Sequence, residues 1–285
     1  MLKTVATVVA DKAAEGYDLG KNFSKFVSSI KDNLGFFAVV VGTAVGLIVI
    51  SLLLEGAAYR INGQRRVRMN TLTITVCGML SAIAAVLMFF EFPVFFAPAT
   101  MYKMDFSDIP AIIAGMTFGP VSGVVVEFVK IMLKALILKP TSTAFVGEYA
   151  NFVVGCALVV PASFIFQCRR SIKSMLVGGI VGVLVMTTFG TAMNAIYFIP
   201  KLGDMFHMPV EQIVKFGSDI WPSIDSLTKF VFYCVAPLNL LKGSVAIGLV
   251  LAAYRPIMSA IRSLMSSQSS APAEMETPVI KPAKG

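Results

Sequence analysis

Residues 72–90 read LTITVCGMLSAIAAVLMFF, a stretch that contains no charged side chain. A helix rises about 1.5 Å per residue, so this stretch is about as long as the hydrocarbon core of a bilayer is thick. Its apolar residues are continuous and do not alternate with polar ones, which favours a membrane-spanning helix over a strand of a membrane barrel. The stretch therefore predicts that the chain crosses a membrane as helices.

Similar runs recur along the whole chain, which is 56% apolar with a mean hydropathy of +0.80. Besides 72–90, the runs cover about 36–54, 110–119, 120–138, 149–166, 175–199 and 227–254. The run at 110–119 is too short to cross a bilayer upright, so we expect it to tilt or to lie among neighbouring helices. The pattern predicts an all-α, polytopic transmembrane helical bundle.

The runs also suggest how the chain is organised. Residues 1–35 form an exposed segment, and 36–69 form an additional transmembrane helix with a basic linker. Residues 70–260 form a membrane domain of six helices, in which 200–225 is a long polar loop. Residues 261–285 have low complexity and are predicted to be a disordered tail.

The basic residues indicate an orientation. Loops 55–70 and 168–174 and the tail from 255 carry 4, 3 and 4 Lys or Arg, whereas the loops at 92–108, 139–148 and 200–225 carry 1, 1 and 2. Because cytoplasmic loops are enriched in Lys and Arg, this predicts an N-terminus outside and a C-terminus inside. The five lysines of the first 35 residues do not follow the rule.

Ionisable residues inside apolar runs are costly and are therefore candidates for function. Lys242 lies well inside the last run, and Asn239 precedes it by one helical turn on the same face. Asn194 lies in the run before, where it either binds a ligand or joins two helices by a hydrogen bond. Glu148 and Asn151 open the run at 149–166, where a carboxylate either complements the helix dipole or binds a ligand.

Three further charges, Glu127, Lys130 and Lys134, share one helical face. We interpret them as an ion pair within the helix, with a lysine that extends towards the membrane surface. Lys229, His207 and Trp221 stand near or between the last two runs. The histidine is interpreted as a surface residue and the tryptophan as an interfacial anchor.

Several classes of protein lack support in the sequence. There is no GxxxxGK[ST] phosphate-binding loop, no HExxH, no Cys/His cluster and no GxSxG, so the sequence predicts neither an enzyme nor a metal site. The net charge of +8 follows the ends of the apolar runs, which argues against nucleic acid as a partner.

Four blocks in order carry a family resemblance: KMDFSDIPAIIAGMTFGPVSGVVVEFVK from 103, TSTAFVGEYANFVVGCALVVPAS from 141, GTAMNAIYFIP from 190 and APLNLLKG from 236. Together they resemble the substrate-binding (S) component of energy-coupling factor (ECF) transporters, and most closely its riboflavin-specific members. The resemblance covers roughly 70–260. It implies a six-helix core, to which 36–69 adds one N-terminal transmembrane helix.

The resemblance also implies a function and partners. An S component binds a vitamin in the bacterial plasma membrane, has no energy source of its own, and docks on a transmembrane coupling protein with two cytoplasmic ATPases. The family docks through small residues of the first core helix, which are Gly78, Ser81, Ala82 and Ala85 here. No cofactor is implied; riboflavin, or FMN, is the transported ligand.

The implied ligand contacts include the loop between the first two core helices, which closes over the ligand. The expected substrate-binding residues are Phe96, Ala99, Thr100, Lys103, Glu148, Asn151, Asn194, Asn239 and Lys242. Phe92, Phe95 and Tyr102 are further candidates for a wall or lid, and Asp105 and Asp108 are expected to cap the next helix. Lys103 and Lys242 would tolerate a phosphate, which keeps FMN open.

Three alternatives remain at this point: an S component for another vitamin such as thiamine or biotin, a self-sufficient secondary transporter, and a structural membrane protein. The leading hypothesis requires a hollow beside Lys242 and Asn194, whose amine and amide would contact the ligand.

Overall fold

The computed structural model describes residues 31, 33–63, 71–98, 101–138 and 145–269. The chain divides into two units, Met1–Leu251 and Ala252–Gly285. The second unit contributes residues 252–269 to the described part, and these are helical. The predicted N-terminal segment and basic linker fall mostly outside the described residues.

Helices make up most of the described chain. In chain order the elements are α1 (Leu34–Asn62), α2 (Thr71–Phe89), β1 (Phe92–Pro93), β2 (Lys103–Met104), α3 (Asp108–Phe118), α4 (Pro120–Leu133), α5 (Val146–Arg169), α6 (Ile172–Met193), α7 (Ile199–Phe206), α8 (Val210–Ser218), α9 (Leu227–Phe230) and α10 (Ala236–Ser269). Five-residue π-helical segments follow α4, α6 and α9, at Lys134–Leu138, Asn194–Phe198 and Val231–Val235. Two of these segments join α6 to α7 and α9 to α10 without a break.

The predicted membrane bundle is confirmed. Within the described ranges, five helical stretches are long and apolar enough to cross a membrane: Leu34–Asn62, Thr71–Phe89, Val146–Arg169, Ile172–Phe206 and Leu227–Ala253. The two other predicted spans form the short helix α3 and the charged helix α4. Among the described residues one helix, α1, precedes the six-helix core, as predicted.

The turn between α3 and α4 depends on glycine and proline. Gly119 has a φ of 117°, a conformation that side chains other than glycine rarely adopt. Pro120 occupies the first turn of α4, where its missing N–H costs nothing. A Cβ atom at Gly119 would also lie 2.7 Å from the Glu55 carboxylate, so α1 approaches this turn closely.

Helices α5 and α6 form the closest helix pair of the core. The turn between them begins with Arg170 in the left-handed region, and the Ser171 and Ser174 side chains cap the start of α6. A Cβ atom at Gly178 would lie 2.7 Å from the Ala162 carbonyl oxygen, and one at Gly182 would lie 2.7 Å from that of Leu158. Small residues on α6 therefore let the two backbones come into contact.

The segment 200–225 differs from the prediction of a polar loop. It holds α7 and α8, whose buried residues are Ile199, Gly203, Ile213, Val214 and Gly217. These positions recur at helical spacing, so each helix has one apolar face that packs on the core. The mixture of polar and apolar residues in this segment is thus the pattern of amphipathic helices, and the prediction of a loop is wrong.

The C-terminal helix is longer than the sequence analysis expected. α10 continues to Ser269, so a disordered tail can begin only after that residue and not at 261. Helix-favouring residues such as Ala260, Leu264 and Met265 continue past Pro256. Residues 270–285 lie outside the described part of the chain.

Candidate functional site

A cavity of about 440 Å³ lies within the first unit. It is bounded by the segment around β2, the first three turns of α5, the end of α6 and all of α7. The turn before α8, α8 itself and the start of α10 complete the wall. The elements therefore converge at one end of the bundle, which we call the cavity end. The volume is within the usual range of small-molecule sites, roughly 300–1,000 Å³.

Most of the cavity wall is apolar. Tyr102, Phe198, Phe206 and Phe216 supply aromatic rings. The other apolar side chains are Met101, Val146, Val154, Met186, Ile199, Leu202, Met208, Ile213, Val235 and Leu238. Walls of this kind suit a flat, largely apolar ligand.

Asn194 lies in the π-helical segment after α6 and is already hydrogen-bonded. The Tyr102 hydroxyl donates to its Oδ1 at 2.9 Å, and its Nδ2 donates to the Gly190 carbonyl at 2.8 Å. Burial raises the pKa of the Tyr102 hydroxyl above its usual range, so this group stays protonated and can donate. Asn194 thus joins the loop around β2 to the cavity wall.

Two other amides in the cavity wall have unpaired atoms. Asn239 is 7% exposed, and its Nδ2 has no hydrogen-bond partner among the described residues. Asn151 Oδ1 is likewise buried and unpaired within that part of the chain. Both residues line the cavity, one from α10 and one from α5. The cavity therefore presents a donor and an acceptor that a ligand could satisfy.

Lys242 also lines the cavity, but its amine is paired within the protein. Its Nζ lies 3.1 Å from Asp108 Oδ2 and 3.4 Å from Asp105 Oδ2. The predicted hollow beside Lys242 and Asn194 is present, since both residues line the cavity. However, both side chains already have protein partners, so neither is a free group that waits for a ligand.

Behind Lys242, Lys130 lies at the centre of the same network. Its side chain is fully buried, and its Nζ lies 2.5 Å from Asp108 Oδ1 and 2.9 Å from Glu127 Oε1. The predicted ion pair within α4 is therefore present, and the other lysine of this face, Lys134, lies 3.7 Å from Glu91 Oε2. Asp108, at the start of α3, meets Lys130 inside the bundle, where the carboxylates replace water around the buried amine.

The two aspartates have different roles. Asp105 Oδ1 accepts from the Ser107 backbone N–H at 2.8 Å, so it closes the turn just before α3 and does not cap the helix as expected. Asp108 does not cap the helix and instead joins Lys130 to Lys242. The expected cap at Asp108 is thus replaced by a pair of buried ion pairs.

The loop between α2 and α3 covers part of the cavity. Its ends form the two-stranded β1–β2 ladder, and Glu91 joins Lys103 at 2.9 Å and Lys134 at 3.7 Å. On its other side, the indole N–H of Trp221 donates to the Phe96 carbonyl at 3.2 Å. These contacts attach the described parts of the loop to the segment after α4 and to the turn after α8.

The predicted site residues divide into three groups. Five of them line the cavity: Lys103, Asn151, Asn194, Asn239 and Lys242. Phe96 and Glu148 lie outside its wall: Phe96 packs on the core beneath the loop, and Glu148 is buried in the first turn of α5, where a carboxylate suits the helix dipole. Ala99 and Thr100 lie outside the described residues.

The aromatic wall was mostly missed. Phe95 is 88% exposed and Phe92 is 38% exposed, so of the four expected aromatics only Tyr102 lines the cavity. Phe198, Phe206 and Phe216 supply the remaining rings. The helical spacing of apolar residues across 199–218 was the signal that could have identified them.

The four small residues proposed for docking face two ways. Ser81 and Ala85 are 1% and 2% exposed, and Ser81 donates a hydrogen bond to the Cys77 carbonyl within α2. Gly78 and Ala82 are exposed. Only these two of the four are on a surface, because Ser81 and Ala85 belong to the side of α2 that packs on the core.

Comparison with known proteins connects this cavity to a family. A sequence model described as "ECF transporter, substrate-specific component" matches residues 72–254. The curated protein "Riboflavin transporter RibU" of Staphylococcus aureus (strain TCH60) is 33% identical over 205 residues, which are 71% of this chain and 100% of that protein. "Riboflavin transporter FmnP" of Bacillus subtilis (strain 168) is 33% identical over 177 residues, which are 62% of this chain and 87% of that protein.

A solved structure is similar as well. It is described as "Structure and mechanism of the S component of a bacterial ECF transporter" and superimposes with a TM-score of 0.53 at 31% sequence identity. The similarity covers 66% of this chain and 96% of the solved chain. The sequence and the fold thus agree with one another.

Proposed function

The chain belongs to the substrate-specific components of ECF transporters, and we propose that it binds riboflavin in the cavity lined by Asn151, Asn194 and Asn239. Two similar curated proteins are named riboflavin transporters. The residues of the cavity support the proposal independently, because their polar atoms and aromatic rings are groups that a flavin would contact.

The observation that carries the proposal is the pair of unpaired amide atoms in an otherwise apolar wall. A buried polar atom without a partner costs about 1–3 kcal/mol. Asn239 Nδ2 and Asn151 Oδ1 are such atoms among the described residues. A ligand that supplies an acceptor to the first and a donor to the second would recover this free energy on binding.

A flavin has the matching chemistry. Its isoalloxazine ring is a large flat aromatic surface, and its pyrimidine edge carries carbonyl oxygens on either side of an imide N–H. We infer that Asn239 donates to a carbonyl and that Asn151 accepts from the imide. The rings of Phe198, Phe206 and Phe216 would contact the apolar faces.

Lys242 has a shared role in this proposal. An ammonium has three N–H donors, and Asp105 and Asp108 engage two directions. We infer that the third direction serves a carbonyl or hydroxyl oxygen of the ligand. The lysine would then tie the ligand to the segment that carries the loop over the cavity.

The proposal includes partners. The sequence contains no GxxxxGK[ST] loop, so we propose that a coupling protein with two ATPases supplies the energy. The exposed apolar face of α2, with Gly78 and Ala82 at its centre and Ile74, Met79 and Ile83 around them, is the proposed docking surface. Small residues there allow a partner helix to approach closely.

An absorption and binding experiment tests the proposal. We expect the purified chain to carry, or to take up, about one riboflavin, seen as flavin absorption and as quenching of added riboflavin fluorescence. FMN, thiamine and biotin serve as competitors of riboflavin. If only FMN competes, the site binds both flavins; if thiamine or biotin displaces riboflavin, the site belongs to another vitamin. A colourless preparation that binds no added riboflavin would refute the proposal.

A further inference from the structure

Helix α1 ends at Asn62, before residue 72 where the family match begins, so family membership does not explain what it does. Its buried residues form a single stripe: Phe36, Ala44, Ser51, Glu55, Ala58 and Tyr59. Val41 and Leu53 on its other faces are 61% and 70% exposed. One side of α1 therefore packs on the core, and the rest is free to face lipid.

At the cavity end, the stripe contacts one residue of α5. The ring of Phe36 meets Tyr149 edge to face, with centroids 5.7 Å apart and planes at 89°. The Thr43 hydroxyl lies 2.8 Å from the Tyr149 hydroxyl, within hydrogen-bond distance. Phe36 and Thr43 are two turns apart on α1, so together they hold both the face and the tip of the Tyr149 side chain.

Tyr149 in turn supports the cavity wall. Its ring packs against Phe198, with centroids 5.6 Å apart and planes at 86°, and Phe198 lines the cavity. Its neighbours Gly147, Ala150 and Asn151 on α5 also line the cavity. A continuous set of contacts therefore leads from α1 through Tyr149 to an aromatic ring and an amide of the proposed binding site.

The other end of α1 is attached to the core without any contact to the cavity. The Asn62 side chain donates to the Gln167 carbonyl at 2.9 Å, near the end of α5. Glu55 is buried and lies beside Gly119, at the start of α4. These contacts also attach α1 to the core, and none of their residues lines the cavity.

From these contacts we propose that α1 is a positioning element of the ligand site: Phe36 and Thr43 orient Tyr149, which fixes Phe198 and the first turn of α5 for binding. The inference rests on the proposed function, because the effect is measured as affinity for riboflavin. It assigns a role to a helix that lies outside the matched family region.

The two ends of α1 provide the test and its control. Thr43→Val removes the hydroxyl contact and keeps the shape of the side chain, and Phe36→Leu removes the edge-to-face ring contact. We expect each to weaken riboflavin binding about 3- to 10-fold, the size of one lost hydrogen bond or ring contact. Asn62→Ala at the opposite end should lower the melting temperature and leave the affinity for riboflavin unchanged.

A double-mutant cycle separates positioning from general stability. Tyr149→Phe removes the partner of Thr43, so Thr43→Val combined with Tyr149→Phe should weaken binding no more than either change alone. Additive losses of affinity in the double mutant would overturn the inference. So would a lower melting temperature with unchanged affinity in the Phe36 and Thr43 variants. The proposed function would stand in either case. A wild-type chain that binds neither riboflavin nor FMN would overturn both.

Discussion

At the scale of the residue, the network around Lys130 shows how a membrane protein keeps charges inside. Asp105, Asp108 and Glu127 face two lysines, Lys130 and Lys242, at distances of 2.5–3.4 Å. Because each charge has partners of opposite sign, the network avoids an isolated ion in a medium of low dielectric constant. The arrangement also joins α3, α4 and α10.

Removal of the central charge should be far more damaging than removal of a surface charge. Lys130→Met leaves Asp108 and Glu127 buried without their shared partner, and we expect it to lower the free energy of unfolding by about 3–5 kcal/mol. Lys103→Met, which breaks a partly exposed pair with Glu91, should cost about 1 kcal/mol or less.

Unfolding in detergent, followed by denaturant titration, measures both changes. Lys130→Met combined with Asp108→Asn should recover part of the loss. Equal effects at Lys130 and Lys103 would show that the buried network contributes little.

The unpaired amide of Asn239 leads to a different expectation. Asn239→Leu replaces a buried donor that has no partner in the described part of the chain, so the stability of the empty protein should not fall. Riboflavin affinity should fall about 5- to 150-fold, because a ligand carbonyl loses its donor at a cost of about 1–3 kcal/mol.

Titration of riboflavin fluorescence gives the affinity, and thermal unfolding of the empty protein gives the stability. Thr191→Val is the matched control, since Thr191 Oγ1 is also buried and unpaired there but does not line the cavity. Unchanged affinity in Asn239→Leu would remove this residue from the proposed site.

At the scale of the element, the contact between α5 and α6 sets the shape of the cavity. Asn151 and Val154 line it from α5, and Met186 and Asn194 line it from α6 and the segment that follows. The distance between these walls depends on Gly178 and Gly182, because any larger residue would meet the backbone of α5. A small change in the α5–α6 distance would therefore change the width of the cavity and weaken ligand binding.

Gly182→Ala should separate the two helices. Its Cβ would lie 2.7 Å from the Leu158 carbonyl oxygen, which cannot move as a flexible side chain can. We expect a loss of about 1–3 kcal/mol in unfolding free energy and weaker riboflavin binding.

The matched control is Gly248→Ala in α10, where nothing lies within 4 Å of the added carbon. That change should be neutral or should stabilise the helix by up to about 1 kcal/mol. Thermal unfolding compares the two variants, and equal melting temperatures would contradict a close α5–α6 contact.

At the scale of the whole unit, the cavity and the arginines that end α1 and α5 lie at opposite ends. Phe95, on the loop over the cavity, is highly exposed, whereas Arg60, Arg169 and Arg170 lie where α1 and α5 end. Because basic residues favour the cytoplasm, we propose that the cavity faces the outside of the cell, with the N-terminus outside and the C-terminus inside.

Cysteine labelling tests this orientation. All four native cysteines are free, and Cys77, Cys156 and Cys234 are buried. In a Cys168→Ser background, a membrane-impermeant maleimide should label Phe95→Cys in intact cells and Lys173→Cys only after permeabilisation. The reverse pattern would invert the topology.

Much of the fold was predictable because it depends on local, periodic properties. The length and continuity of runs such as 72–90 determine that they cross a membrane, and the order of motifs such as NLLKG around Lys242 indicates the family. The same reasoning failed where apolar and polar residues mix. In 199–218 a short amphipathic helix resembles a polar loop until its apolar face has a core to pack against.

The sequence by itself determined that the apolar runs form helices, which family the ordered motifs resemble, and which charged and amide side chains lie within the runs, because these follow from composition, spacing and motif order along one chain. Only the tertiary structure decided the partners of those side chains. Whether Lys242 meets Asp108 or a ligand, and whether Asn239 is left unpaired, depends on residues more than a hundred positions apart. Such contacts arise from the packing of whole helices, and no local pattern encodes them.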